Sequence, residues 1–134
     1  MKGWKLLLAG LLIVGPAIIS SCAPNSLPPG AVFLGKREVN FGIDRDTIVV
    51  PRSIGPFHQL IVVARMNPVE VYNIRVLFEN GSSEDFNLRE KLFSTRERLI
   101  IDLPGNARHV HEVIFRYRSL NNAARRAVVE LWAR

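Results

Sequence analysis

The sequence predicts an all-β protein, a single antiparallel β-sandwich of about eight strands. Apolar and polar residues alternate with a period of two through most of the chain after residue 31, as in strands that bury one face. Turn-forming residues separate these runs at intervals of roughly 8–12 residues, which is typical of sandwiches and barrels. The same region shows no convincing 3.6-residue apolar period, so an amphipathic helix is not expected there.

The first half of this region contains the strand that we expect to be central. The run Phe57–Met66 is rich in isoleucine and valine, as are strands that are buried on both faces. Asn67-Pro68 ends it, because proline cannot donate to a strand ladder. Val69–Tyr72 and Ile74–Phe78 then form either two strands or one bent strand. The earlier predicted strands are Phe33–Phe41 and Thr47–Val50.

The second half opens with Asn80-Gly81, which predicts a type I′ hairpin turn because both residues accept a positive φ. We expect the last two strands to form a hairpin whose apolar side chains all point inward. The predicted strands are Asp85–Leu92, Arg98–Leu103, Glu112–Arg118 and Ala127–Trp132. The side chains expected to point inward from the final pair are Val113, Phe115, Tyr117, Ala127, Val129 and Leu131.

The N-terminus predicts export. Lys2 and Lys5 precede the uncharged apolar run Leu6–Ile19, which is too short for a bilayer-spanning helix of roughly 20 residues. The run ends in Ile19-Ser20-Ser21-Cys22, which resembles a bacterial lipobox, and Cys22 is the only cysteine of the chain. We therefore expect residues 1–21 to be a signal peptide and Cys22 to be lipidated. Ordinary cleavage after Ala23 is the alternative.

The residues after Cys22 predict a tether. Residues 22–31 contain three prolines and a glycine, so they favour an extended segment that could hold the domain of residues 32–134 roughly 25 Å from the lipid. The residue that follows the cysteine is Ala23 and not an aspartate. If the host has two membranes, that pattern resembles lipoproteins of the outer membrane, facing the periplasm.

The charge balance is basic and depends on arginine. Without Lys2 and Lys5, 16 basic and 12 acidic residues remain, and 14 of the basic residues are arginines. Guanidinium groups match carboxylates and phosphates bidentately, so the partners we consider are an anionic glycan, an anionic lipid or an envelope protein. Ordinary surface ion pairs would explain the same composition. Nucleic acid is not expected as a partner of an exported protein.

Few residues of the sequence suggest metal binding or catalysis. His109-x-His111 has a spacing that suits zinc or copper, with His58 or Asp102 as a third ligand, but two histidines alone rarely form a site. Asp44-x-Asp46 either binds calcium or, as we expect, caps a turn or pairs with arginines such as Arg45 and Arg37. No serine lies in a Gly-x-Ser-x-Gly elbow and no glycine-rich phosphate loop occurs. We therefore expect no metal, no cofactor and no enzymatic activity.

One group of residues is a candidate binding site. Arg116 and Arg118 are predicted on the outer face of the penultimate strand, and Glu130 and Trp132 on that of the last. If these strands are neighbours, the four side chains share one face and could recognise a sugar or an anion. Cross-strand pairs that merely stabilise the sheet would have the same pattern.

Five motifs of this region resemble those of a family of small exported bacterial domains whose function is unknown. They are Leu34-Gly35-x-Arg37-x-Val39-x-Phe41, Asp44-Arg45-Asp46-x-Ile48, Asp102-Leu103-Pro104-Gly105, Tyr117-Arg118-Ser119 and Arg126-Ala127-x-Val129-Glu130-x-Trp132. The resemblance implies a compact β-sandwich and no established activity, and it supplies no catalytic residues.

These observations favour a lipid-anchored cell-envelope protein that acts as a structural or binding module. The first alternative is an accessory protein that binds a carbohydrate or a small anionic ligand. The second alternative is an envelope enzyme. Exposed aromatic side chains on a sheet face would favour the carbohydrate, and a pocket with convergent carboxylates or histidines would favour the enzyme.

Overall fold

The computed structural model describes residues 27–40, 42–93, 97–120 and 126–134. These residues form eight β-strands and no helix, so the predicted all-β sandwich is confirmed. The strands are β1 (Val32–Val39), β2 (Asp44–Val49), β3 (Gln59–Arg65), β4 (Val69–Phe78), β5 (Ser83–Leu92), β6 (Arg98–Asp102), β7 (Val110–Ser119) and β8 (Ala127–Ala133). A helix long and apolar enough to cross a membrane does not occur in the described ranges.

The strands form two four-stranded sheets in which every pair is antiparallel. Sheet A has the order β1-β8-β3-β6, and sheet B has the order β2-β7-β4-β5. β3 lies in the interior of sheet A, as its apolar sequence predicts, and Leu60–Ala64 are buried without interruption. β4 is one strand with a register irregularity between Val71 and Asn73, which settles the alternative of one bent strand or two.

Alternate residues of both sheets fill the core. In β7, Val113, Phe115 and Tyr117 are fully buried, and the rings of Phe115 and Tyr117 stack with centroids 5.7 Å apart. The Tyr117 hydroxyl donates a hydrogen bond of 2.7 Å to Asp46 Oδ2. Burial first, and then the hydrogen bond to the Asp46 carboxylate, raises the pKa of Tyr117 above its ordinary value. The aromatic column therefore ends in a neutral phenol held by a carboxylate of β2.

The two sheets approach each other closely where β1 passes β2. A Cβ atom at Gly35 would lie 2.9 Å from Ile48 Cγ2, so only glycine fits there without displacing the buried isoleucine. Beside this contact, Arg37 Nε donates to the carbonyl oxygen of Thr47 at 3.2 Å. The β1 end of sheet A is thus joined to the β2 end of sheet B.

The predicted hairpin of the last two strands is wrong. β7 pairs with β2 and β4 in sheet B, whereas β8 pairs with β1 and β3 in sheet A. The connection between them crosses from one sheet to the other, and residues 121–125 lie outside the described residues. The predicted inward side chains are nevertheless all buried, because strand alternation sets the face of a side chain independently of the partner strand.

The turn at Asn80-Gly81 also differs from the type I′ turn. Only Gly81 has a positive φ, of 89°. Gly81 N–H donates to the Phe78 carbonyl at 3.0 Å, and Phe78 N–H donates to the Ser82 carbonyl at 2.9 Å. This is a three-residue hairpin loop that closes with a glycine bulge. Asn80 uses its side chain instead, since its Oδ1 accepts from Ser82 N–H at 3.0 Å.

Candidate functional site

A row of polar side chains crosses the outer face of sheet B, with one residue from each strand. Arg45 of β2 lies opposite Arg116 of β7, Arg116 lies opposite Asn73 of β4, and Asn73 lies opposite Asn87 of β5. We call these four residues the arginine row. Strands in a sheet are roughly 4.8 Å apart, so the row is about 14 Å long.

Two adjoining hollows lie over the arginine row, and together we call them the arginine groove. Their volumes are about 600 Å³ and 660 Å³. Both are within the range of sites that bind small ligands. The residues common to both walls are Ile43, Asn73, Asn87 and Arg116. The groove also receives Arg45, Arg75 and Asp85 at one end and Tyr72 and Arg89 at the other.

A bulge in β5 shapes the second end of the groove. β5 places Leu88 and Arg89 opposite the single residue Tyr72 of β4, and Arg89 has a φ of 51°. A bulge of this kind re-aims the side chain that it carries. The Arg89 guanidinium lies 5.9 Å from the centre of the Tyr72 ring, a distance compatible with a cation–π contact. The left-handed backbone therefore directs a cation over an aromatic ring beside the arginine row.

The arginines of the groove differ in their partners. Arg75 pairs with Asp85 across β4 and β5 through two hydrogen bonds, of 2.7 Å and 2.9 Å. These hydrogen bonds raise the pKa of Arg75 and lower that of Asp85, so both groups stay charged. Within the described residues, Arg45 and Arg116 have no carboxylate within ion-pair distance. Like charges directly opposite each other are unfavourable in a sheet, so this pair is suited to an anion.

The aspartates near the groove serve the backbone and the core. Asp44 accepts hydrogen bonds from Asn40 N–H at 3.1 Å and from Arg45 N–H at 2.9 Å. It therefore caps the turn before β2, which is one of the roles predicted for it. Asp46 accepts from the Tyr117 hydroxyl, a partner that the sequence did not suggest.

The candidate residues Arg116, Arg118, Glu130 and Trp132 do not share a face, so that expectation is wrong. Arg116 and Arg118 lie on the outer face of sheet B, and Glu130 and Trp132 lie on the outer face of sheet A. Arg118 forms the cross-strand pair that was the other interpretation, with Nε 3.1 Å from Oε1 of Glu70. Cys22 lies outside the described residues.

The histidines lie at one end of the sandwich. His111 Nδ1 is 3.5 Å from Oε1 of Glu79, whose other oxygen is 3.2 Å from Arg52 Nε. His109 meets Glu79 through its backbone carbonyl, which accepts from Glu79 N–H at 2.9 Å. In the described part of the chain, no three histidine, cysteine, aspartate or glutamate side chains are grouped as metal ligands would be. The absence of a bound metal stays a prediction.

Sequence reasoning missed three members of the arginine row. Arg45 was considered only as a partner for aspartates, and Asn73 and Asn87 were not considered at all. The usable signal was their position, because each follows the outward alternation of its strand. Their meeting with Arg116 depends on the register between β2, β7, β4 and β5, which joins residues that are far apart in the chain.

Comparison with known proteins identifies a family and a similar fold. No curated protein matches this chain. A structure of AlgX from Pseudomonas aeruginosa superposes with a TM-score of 0.52 at 13% sequence identity, over 78% of this chain and 26% of AlgX. This likeness supports the fold alone. A family described as a domain of unknown function (DUF2541) matches residues 6–133, nearly the whole chain. The chain therefore belongs to the DUF2541 family.

Proposed function

We propose that this protein is an exported, lipid-anchored binding module of the cell envelope, and that its arginine groove binds an acidic glycan. The observation that carries the proposal is the pair Arg45 and Arg116, which lie opposite each other without a carboxylate partner among the described residues. A carboxylate or phosphate bound between the two guanidinium groups would remove their mutual repulsion and gain charge-assisted hydrogen bonds.

The rest of the arginine row favours a glycan over a small free ion. Asn73 and Asn87 continue the row beside the arginines, and Asn73 Nδ2 donates to Asn87 Oδ1 at 2.7 Å. This hydrogen bond leaves the Asn73 Oδ1 acceptor and the Asn87 Nδ2 donor without a partner among the described residues. Amide side chains both donate and accept hydrogen bonds, so they suit hydroxyl groups. An anionic group at the arginines and hydroxyls at the asparagines would use the full length of the row. A chain of sugars that carries carboxylates or phosphates has both kinds of group.

The groove favours binding over catalysis. The acids that line it are Asp44, which accepts two backbone hydrogen bonds, and Asp85, whose pKa is lowered by its hydrogen bonds to Arg75. A general acid needs a raised pKa, so Asp85 is poorly suited to protonate a leaving group. No histidine lines either hollow of the groove as described. A binding module requires none of these groups.

The anchor part of the proposal rests on the lipobox-like ending at Cys22. Mass spectrometry of the protein from native membranes tests it. We expect an N-terminal Cys22 that carries acyl chains, and we expect Cys22→Ala to leave the membrane fraction or to keep its signal peptide. An unmodified N-terminus at or after Pro24 would disprove lipidation.

The proposed binding of an acidic glycan in the arginine groove is tested with three glycans of defined charge. Polygalacturonate carries carboxylates, phosphomannan carries phosphates, and dextran is neutral. We expect calorimetry to show binding to at least one of the two acidic glycans, weakened by added salt, and no binding to dextran. The acidic glycan that binds identifies the anionic group. Binding to neither acidic glycan would refute the proposal.

Two arginines of β7 provide matched variants. Arg116→Gln should weaken binding roughly 10- to 100-fold, because a charge-assisted hydrogen bond contributes about 1.5–3 kcal/mol. Arg118→Gln, two residues away on the same face, should bind nearly as wild type because Arg118 is already paired with Glu70. Equal losses in both variants would mean that only the general positive charge matters. Turnover of a glycan with release of a reducing end would instead support the enzyme alternative.

A further inference from the structure

The outer face of sheet A carries an apolar row where sheet B carries the arginine row. Phe33 of β1 lies opposite Trp132 of β8, Trp132 lies opposite Ile61 of β3, and Ile61 lies opposite Ile100 of β6. We call these four residues the apolar row. Phe33 is 44% exposed and Ile100 is 47% exposed, and the Phe33 and Trp132 rings meet edge to face at 5.1 Å. Ile61 is buried, so Phe33, Trp132 and Ile100 supply the exposed surface of the row. Large apolar side chains exposed together on an outer face favour a surface that a partner covers.

The polar groups beside the apolar row already bind one another. Glu130 Oε1 accepts from Arg65 Nε at 3.1 Å and from Trp132 Nε1 at 3.2 Å. On the other side of the row, Gln59 donates to Asp102 at 2.7 Å and accepts from Arg134 at 2.7 Å. A sugar would need free donors and acceptors next to the aromatic rings. Since these groups are engaged, the row favours an apolar occupant over a glycan.

The lipid proposed at Cys22 would lie close to this face. β1 begins at Val32, which is itself 41% exposed, and Phe33 follows it. Cys22 precedes Val32 by ten residues, so even a fully extended chain spans at most about 35 Å between them. A short flexible link gives a second contact a high effective concentration, so a weak contact between the apolar row and the bilayer becomes appreciable.

We propose that the outer face of sheet A lies on the membrane, with Phe33, Trp132 and Ile100 at the level of the lipid head groups. Tryptophan and other amphipathic aromatic side chains prefer this interface. The proposal rests on the lipid anchor of the proposed function. The charged residues around the row are of both signs, so apolar contact and not anionic lipid drives the docking; they are Lys36, Arg65, Arg98, Arg134, Glu38, Glu130 and Asp102. Docking by sheet A leaves the arginine groove facing away from the bilayer.

Trp132 is also the reporter for the test. The chain contains only Trp4 and Trp132, so the full chain with Trp4→Phe has one tryptophan whether or not its signal peptide is removed. This variant is purified from membranes and reconstituted in phosphatidylcholine vesicles whose acyl chains carry bromine at defined depths. We expect blue-shifted Trp132 emission that is quenched most by bromines near the head groups, to the same extent with and without anionic lipid.

A reporter on the opposite face is the control. Trp132→Phe combined with Tyr72→Trp moves the single tryptophan of the Trp4→Phe chain into the arginine groove, and its emission should not be quenched. In the chain that keeps Trp132, Ile100→Asn should reduce quenching, whereas Val49→Asn should not. Ile100 and Val49 are similarly exposed, at 47% and 59%, but Val49 belongs to β2 of sheet B.

The outcomes separate the docking from the anchor. Unquenched Trp132 in protein that stays with the vesicles would overturn the docking and leave the anchor intact. Protein that separates from the vesicles would overturn both. A blue shift that grows with protein concentration in detergent-free solution would assign the apolar row to a second copy of the chain. A blue shift on adding dextran would assign it to a neutral glycan, and either result would overturn the proposal.

Discussion

The two outer faces of the sandwich have the same geometry and different chemistry. Each is crossed by a row of four side chains in register, one per strand, in both cases from residues that alternate with core residues. On sheet A the row contains two aromatic residues and two isoleucines, and on sheet B it contains two arginines and two asparagines. The shared core needs only the inward positions, so the outward positions of the two sheets are free to serve different partners.

The largest expected effect comes from the core that supports both faces. Phe115 is fully buried in β7 and stacks on Tyr117. Phe115→Ala should lower the free energy of unfolding by about 3–5 kcal/mol, through lost burial and a cavity, and should leave the domain largely unfolded. Arg116→Ala, its outward neighbour, should change the same quantity by less than about 1 kcal/mol. Urea unfolding measures both, and equal losses would mean that β7 is not a strand with one wet face.

A smaller effect is expected where β2 is joined to the core. Tyr117→Phe removes the donor to Asp46 and leaves a carboxylate without its partner, which should lower the free energy of unfolding by about 1–3 kcal/mol. The pKa of Tyr117 is raised in the folded state, so its contribution is complete below the ordinary tyrosine pKa of 10.0 and is lost as pH rises above it.

Urea unfolding of wild type and Tyr117→Phe between pH 7 and 11 tests this dependence. Wild type should lose stability above about pH 10 more steeply than the variant, because the variant has no phenol at this position. Parallel slopes in wild type and Tyr117→Phe would contradict the role of the buried phenol.

A still smaller effect distinguishes two arginines of the same face, because their substitutions should change the free energy of unfolding in opposite directions. Arg118→Ala breaks the pair with Glu70 and should lower the free energy of unfolding by up to about 1 kcal/mol. Arg116→Ala relieves the repulsion with Arg45, so without a ligand it should leave stability unchanged or raise it by a few tenths of a kcal/mol. Melting temperatures at low salt show the difference, which should shrink in 1 M salt. A clear loss in Arg116→Ala would indicate that Arg116 stabilises the fold.

No effect is expected from zinc or from a chelator. His109 and His111 lie on neither outer face row, and metal that bound the native state would raise the melting temperature by mass action. Calorimetric scans with zinc and with chelator should therefore superpose. A rise of several degrees with zinc that disappears in His111→Ala would establish a metal site at this end of the sandwich.

The sequence predicted which face of a sheet a side chain occupies better than it predicted which strands pair with each other. The inward positions of Phe115, Tyr117, Val129 and Leu131 follow from alternation, which is a local property. Whether β8 pairs with β7 depends on where the connection at residues 121–125 leads, and no local pattern encodes that. For this reason Trp132 was expected beside the arginines of β7 and lies on the other sheet.

The arginine row also could not be predicted from local sequence patterns. Arg45 and Arg116 are separated by more than half of the chain, and their meeting requires the β2–β7 register. The turn at Asn80-Gly81 was predicted as a turn, but its type depends on how the flanking strands are spaced. Glycine alone takes the positive φ there. The β-sandwich fold was therefore accessible from the sequence, whereas the contents of each face were not.

The bulge of β5 has a further consequence, for the behaviour of the chain before and after folding. β5 is an edge strand of sheet B, and a regular edge is a template on which another chain can add a strand. Arg89 interrupts its ladder, and the strand also carries Glu84, Asp85, Glu90 and Lys91. At the opposite end of the sandwich, β1 and β2 close against each other, and β6 of sheet A has only five residues. These features protect both sheets from edge-to-edge aggregation with other chains.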